Sequence, residues 1–245
     1  MSIIEEKLFL LNCVYKFFDD FVESNYKMAC AKGCAACCTR HVTGTTLEAY
    51  RLLKGLRRSG RDDFPVRLDQ AAGAGIFRPG LTTNALAMAC MSKHEPLVEK
   101  PGSDQGPCPL LENEICPVYE DRPFGCRGML SKTRCRPGGQ GEVPSELISV
   151  VTICNQIIEH LDVGGSYGNM IDLLLVLTDE KKAFQYTEGE GLIIPGCSPT
   201  KTVPGFLVPP ENEAVVQDFI DKLFQLDCSG RTFQQKMSLV RDTPF

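Results

Sequence analysis

The chain has 245 residues and is 43% hydrophobic, which suits one globular domain or two small ones with a self-sufficient core. A formal net charge of -5 excludes a globally basic binder of nucleic acid or of an anionic membrane. No stretch approaches the ~20 apolar residues of a membrane span, and Met1 to Glu6 carries two acids before its first base, unlike a secretory leader. The composition stands out at cysteine, with 13 Cys against 3 His. Without a secretory opening, the expected compartment is the reducing cytoplasm, where clustered cysteines signify metal or redox chemistry more often than disulfides.

In chain order, Ile4, Leu8, Leu11, Tyr15 and Phe18 recur at helical spacing and predict an amphipathic helix over 3–28. Residues 30–44 form a Gly/Cys loop. Thr45-Thr46-Leu47-Glu48 has the form of a capping box and predicts a helix from about Thr46 to Arg58. Gly60, Pro65, Gly73, Gly75, Pro79 and Gly80 make 59–80 mostly loop, followed by a short helix over Thr83 to Met91. Pro96 to Pro144 is rich in Pro and Gly and sparse in regular structure. A compact domain holds so irregular a segment when something else orders it, and a bound metal does so by contributing folding free energy. Ser145 to Leu161 and Tyr167 to Phe184 read as apolar helices, 189–210 as loop, and Glu213 to Leu226 as an amphipathic helix. The expected fold is mainly α, with helices packed around an irregular Cys-rich loop region. It is read as a single domain, 1–245, with a cysteine-cluster core over about 28–136 and a helical part over about 145–245.

The cysteines carry the chemistry. Cys30-x3-Cys34-x2-Cys37-Cys38 forms one window, and Cys108, Cys116, Cys126 and Cys135 form a second, spaced by seven, nine and eight residues. Thiolates closely spaced in a Gly-containing loop can turn toward one centre, with further ligands supplied from across the fold. A Cys-only donor set suits zinc or an iron–sulfur cluster, including a four-iron one. Extended backbone would point the adjacent Cys37 and Cys38 to opposite sides. On that geometry one of them is spare, or the two face separate centres.

The flanks agree with this reading. Residues 27–40 and 122–136 hold Lys27, Lys32, Arg40, Arg122, Arg127, Lys132, Arg134 and Arg136 and no Asp or Glu. Cations beside thiolates lower thiol pKa and offset the net negative charge of a metal–thiolate centre. The plainer reading is a solvated basic strip. Nucleic-acid binding is disfavoured because no aromatic residues interleave it. Outside the windows, Cys13, Cys90, Cys154 and Cys228 read as small packed hydrophobes, and Cys197 as a reserve ligand. His41 and His94 are further possible ligands, and His160 ends a helix where an imidazolium suits the dipole.

Gly33-Cys34-Ala35-Ala36-Cys37-Cys38, Cys108-Pro109-Leu110-Leu111, Cys116-Pro117-Val118-Tyr119-Glu120-Asp121-Arg122-Pro123 and Cys126-Arg127 follow one another in this order. The series resembles the zinc- or iron-chelating cysteine-cluster family, abbreviated CxxCxxCC and known as YkgJ-type proteins. Ser131 followed by Cys135 is similar to one branch of it. The resemblance covers roughly 28–136. It departs from the shorthand in having three residues, not two, between Cys30 and Cys34. The resemblance implies a cytoplasmic metal protein with the clustered eight cysteines as ligands and Tyr119, Arg122 and Arg127 around them. It also implies kinship with flagellin lysine methylases, which carry a related cluster and an iron–sulfur centre.

Two function classes follow. One is a binding protein holding iron–sulfur or zinc for electron transfer, metal handling or structure. The other is an iron–sulfur enzyme modifying a protein substrate, such as an S-adenosylmethionine-using lysine methylase, with no assigned catalytic residue. The expected partners are accordingly a metal or cluster and a redox partner or protein substrate, without nucleic acid or membrane. Cys30-x3-Cys34-x2-Cys37 has radical S-adenosylmethionine spacing, but Ala36 stands where those enzymes place an aromatic, and no strand–helix repetition supports their barrel. Leu161 to Gly168 looks like a Rossmann-type glycine loop, yet a helix and not a strand should precede it, which makes it a helix–loop–helix turn.

Overall fold

The computed structural model describes residues 2–61, 63–73, 75–93, 99, 106–136 and 139–241. His94 and part of the Pro/Gly-rich stretch lie outside them. The fold is mainly α: ten α-helices among the described residues, against three short strands. No helix among those residues is long and apolar enough to cross a membrane.

Helix α1 (Ile3–Asn25) opens on a capping box, with Glu5 N donating to Ser2 Oγ at 3.3 Å and Ser2 N to Glu5 Oε2 at 2.8 Å. It stops short of the expected residue 28. Tyr26 is already extended (φ -136), its ring packed on Phe21 at 5.9 Å, and the chain runs from there into the cysteine loop. Helix α2 (Thr46–Arg58) takes the bounds its Thr45/Glu48 capping box predicts. Inside the expected loop lies α3 (Phe64–Ala71), which has Pro65 in its first turn, where proline is tolerated. Helix α4 (Thr83–Met91) is capped by Thr82, and α6 (Ser145–Leu161) runs over its predicted range. Among the described residues between them regular structure is sparse, as expected: a 3-10 turn at Tyr119–Asp121 and α5 (Phe124–Arg127).

The segment after Leu161 departs from a helix–loop–helix. Strand β2 (Ser166–Asn169) pairs antiparallel with β1 (Thr43–Thr45) on one side and β3 (Ser198–Pro199) on the other. Thr43 opposes Asn169, and Tyr167 opposes both Thr45 and Ser198. The strands have at most four residues each, too few for alternation to register. The predicted helix over Tyr167 to Phe184 becomes α7 (Met170–Thr178) and α8 (Glu180–Thr187). Asn169 caps the first, and Asp179 caps the second by accepting from Lys181 N and Lys182 N. Helix α9 (Glu213–Phe224) is followed by α10 (Phe233–Arg241), which the composition did not suggest. Its signal is a third box, Thr232 N to Gln235 Oε1 and Gln235 N to Thr232 Oγ1.

One contiguous apolar core joins α1, α2, α6, α7, α9 and α10. Helix α1 packs on α6 and α10, α2 and α3 on α7, and α4 and α9 on α6. The helices leave one edge of α1 facing the irregular segment.

Buried in that core, Asp162 follows α6 and accepts from Leu47 N at 3.0 Å and from Tyr186 Oη at 2.6 Å. Burial pushes its carboxyl up to about 6, against the nearby Lys7 cation. A carboxyl raised on folding binds its proton more tightly in the native state, so stability falls as pH rises from about 4 to about 6. The contribution is on the order of 3 kcal/mol. Urea midpoints measured with a metal chelator should fall over this range, and Asp162→Asn should flatten the fall. An unchanged slope would assign it to Glu48 and Glu159, whose carboxyls burial also raises.

Candidate metal centre

The first cysteine window is a pair of tight turns. Cys34 N donates to Ala31 O at 3.0 Å with Gly33 at φ +91, a conformation that favours glycine. Cys38 N then donates to Ala35 O at 3.0 Å. The second turn overturns the expectation of opposed Cys37 and Cys38 side chains. The backbone there is folded, not extended, and the two thiols hydrogen-bond to each other.

The second window is shaped the same way. Glu112 and Ile115 exchange backbone hydrogen bonds of 3.0 and 2.8 Å around Asn113 and Glu114, both at positive φ, the two-residue turn of a hairpin. That reversal brings Cys116 back beside Cys108. Arg67 of α3 holds it in place, donating to Leu111 O at 2.6 Å and to Glu112 Oε1 at 3.0 Å. Cys126 sits on α5, whose Phe124 N is held by the buried Glu48 of α2 at 2.6 Å.

Together these loops and α1 enclose a cavity of about 430 Å³, and Cys30, Cys34, Cys37, Cys38, Cys108, Cys116 and Cys126 are on its wall. Cys135 is not on that wall; its thiol lies 3.9 Å from Thr133 O, close enough to Cys30 for the charges to interact. Three of the wall cysteines, Cys108, Cys116 and Cys126, also border a smaller apolar cavity of about 50 Å³ against Leu52, Leu68 and Leu174. Among the described residues, no three Cys, His, Asp or Glu side chains converge as ligands of a single ion. The thiols ring a space; they do not close on a point.

The site's electrostatics separate one thiol from the rest. The hydrogen bond from Cys38 lowers the Cys37 thiol to about 6, and the same contact raises that of Cys38. Cys37 is also exposed, so it is the natural first thiolate of the site. Burial raises the thiols of Cys30, Cys108, Cys116 and Cys126. Opposing this, Arg122 and Lys32 pull Cys116 down, as Arg67 does Cys108.

Tyr119, Arg122 and Arg127 are all on the cavity wall. Arg122 stacks on the Tyr119 ring at 3.9 Å and donates to Tyr119 O at 2.8 Å. Arg127 is buried, donates to Glu120 O at 3.0 Å and ion-pairs with Asp19 of α1. Its Nε is buried without a hydrogen-bond partner in the protein. Asp19 and Glu23 put carboxylates on a wall whose own loops have none. Their role was not legible in the sequence, because Asp19 and Arg127 meet across 108 residues.

The remaining candidates lie elsewhere. His41 accepts from Phe77 N through Nδ1 at 3.0 Å and is not on the cavity wall. His160 accepts from Val203 N through Nδ1 at 3.1 Å, which needs a lone pair there, so the ring is neutral and not the expected imidazolium. Cys197 packs against Gly168 of β2. Cys154 and Cys228 are buried as expected, Cys228 with its sulfur 3.5 Å from that of Cys13. Cys90 departs from expectation and is exposed on α4. Comparison with protein-family models, with curated proteins and with solved structures found no match to this chain.

Proposed function

We propose that this protein binds metal through the cysteine cavity, as an iron–sulfur protein of the CxxCxxCC type working in a reducing compartment. The observation that carries the reading is the gathering of seven thiols, from windows seventy residues apart, on the wall of one cavity of about 430 Å³. Seven soft thiolates on a wall that holds no imidazole fit iron–sulfur or zinc. A single zinc needs its sulfurs ~2.3 Å from one point. A wall of thiols around a larger space suits a cluster, whose ligands stand further apart, and each cysteine can adjust its sulfur by changing rotamer.

The surroundings suit a negatively charged centre. Arg122 and Lys32 lie near Cys116, and the unpartnered Arg127 Nε is a donor available to a thiolate or a cluster sulfide. When bound, an iron–sulfur cluster supplies one-electron transfer. The chain's own residues set how far it is wetted and how its charge is offset.

The test is metal analysis with a visible spectrum on protein purified without oxygen. Iron accompanied by sulfur-to-iron charge-transfer bands is the expected result. Zinc without colour would keep the thiolate site and replace the cluster, and protein holding neither metal would overturn the reading. Cys90→Ser, outside the cavity, should leave the metal content unchanged.

A further inference from the structure

The backbone hydrogen bonds between the two cysteine windows sort the thiols into two groups. At the start of the first window, Ala29 N donates to Ser131 O at 2.8 Å, and Cys30 Sγ lies 3.8 Å from Met129 O. That end is laid along the segment that leads to Cys135. At the other end, Cys108 N donates to Cys38 O at 3.0 Å and Arg40 N to Gly106 O at 3.0 Å, with Thr39 and Pro107 forming an antiparallel bridge. This end is laid along the arm carrying Cys108, and the hairpin at Asn113-Glu114 returns Cys116 to it. The first window therefore spans two separate stretches of the second, and the turn at Cys37-Cys38 lies between them.

We infer that the eight clustered cysteines form two adjoining four-thiolate centres, Cys30/Cys34/Cys37/Cys135 and Cys38/Cys108/Cys116/Cys126. This rests on the metal-binding reading above and adds the number of centres and their ligands. The thiols whose charge bears on Cys30 are Cys34, Cys37 and Cys135. Those bearing on Cys38 include Cys126 and Cys108, besides its neighbour Cys37. Cys37 also bears on Cys126, as the residue at the junction should. The contact between the Cys37 and Cys38 thiols puts the centres side by side and not on opposite faces.

The environments differ as well. Cys37 is exposed, and Cys135 lies off the main cavity wall. Cys108, Cys116 and Cys126 back onto the apolar cavity bounded by Leu52, Leu68 and Leu174. The first centre is therefore the outer, wetter one and the second the inner one. Four thiolates each is the complement that structural zinc and the common clusters take.

The experiment is metal content in single and paired variants, with helical circular dichroism to show that each folds. Cys30→Ser and Cys135→Ser should each keep half the wild-type metal, as should Cys108→Ser and Cys116→Ser. Cys135→Ser combined with Cys116→Ser should hold none, whereas Cys30→Ser combined with Cys135→Ser should still hold half. A single variant that loses all its metal would mean one shared centre, and one that keeps it all would mean a spare cysteine; either overturns the partition. For any variant that fails to fold, zinc titration of the reduced wild-type apoprotein decides without a substitution. Saturation at two equivalents is expected, and saturation at one overturns the proposal. Wild-type protein that binds no metal would instead refute the metal-binding reading itself.

Discussion

Gly125→Ala is expected to destabilise the protein by about 1–3 kcal/mol, the usual cost of forcing an extra methyl into a packed site. A Cβ at this position would lie 2.6 Å from the Thr43 backbone oxygen and 3.3 Å from Val42 Cγ1. The close atom belongs to β1, which is paired with β2 through Thr43 and Asn169, so it cannot move aside as a flexible side chain can. The strain falls instead on α5 and displaces the adjacent Cys126. Helix propensity predicts the opposite sign, because alanine inside a helix is favoured over glycine by about 0.5–1 kcal/mol. The measurement is denaturant unfolding of both proteins with chelator present, so that metal does not contribute, and metal content separately. A variant at least as stable as wild type would show that α5 can shift freely. Loss of metal beyond the loss of stability would tie the close approach of α5 and β1 to the ligand geometry.

The parts of the fold that were legible in the sequence are those with local determinants. Helix α2 announces itself by Thr45/Glu48, and α6 by a long apolar run. Helix α10 carries the same kind of signal in Thr232 and Gln235, but it is short and mostly polar, so periodicity alone passed over it. The three-stranded sheet was illegible for a different reason. Its strands are brief, and β1 pairs with β2 across more than a hundred positions. At the site, the spacing of the cysteines pointed to a shared centre, and the turns at Gly33 and Asn113 carry seven of them to one wall. Spacing could not show that Cys37 and Cys38 meet, because that depends on the turn closed by Cys38 N and Ala35 O. Nor could it show that α1 completes the wall, since Asp19 reaches Arg127 only through tertiary packing.

Glu48 joins these two levels, and its removal is expected to have the largest effect of any substitution outside the cysteines. Its buried carboxylate accepts from Tyr15 Oη at 2.7 Å, Phe124 N at 2.6 Å, Thr45 N at 3.0 Å and Thr45 Oγ1 at 3.3 Å. Arg51 and Arg127 lie over the Tyr15 ring at 5.0 and 4.5 Å, so the same acid sits at the centre of a small buried charge cluster. Glu48→Ala leaves the Phe124 amide and the Tyr15 hydroxyl buried and unsatisfied, at about 1–3 kcal/mol each, in addition to the lost cap. A total of about 3–5 kcal/mol corresponds to a Tm lower by roughly 6–20 °C in a chain of this size. Thr45→Ala removes the cap and leaves Phe124 N its acceptor, so it should cost only about 1 kcal/mol. The two variants also differ at the site. Phe124 N anchors α5, so Glu48→Ala should weaken metal retention against a chelator at temperatures where it is still folded, and Thr45→Ala should not. Equal retention in the two would mean that α5 is held by its packing, with Phe124 wedged at 4.8 Å from the Phe18 ring, and not by the carboxylate. A difference would show that the capping box of α2, the clearest local signal in the sequence, also positions the helix that carries the proposed ligand Cys126.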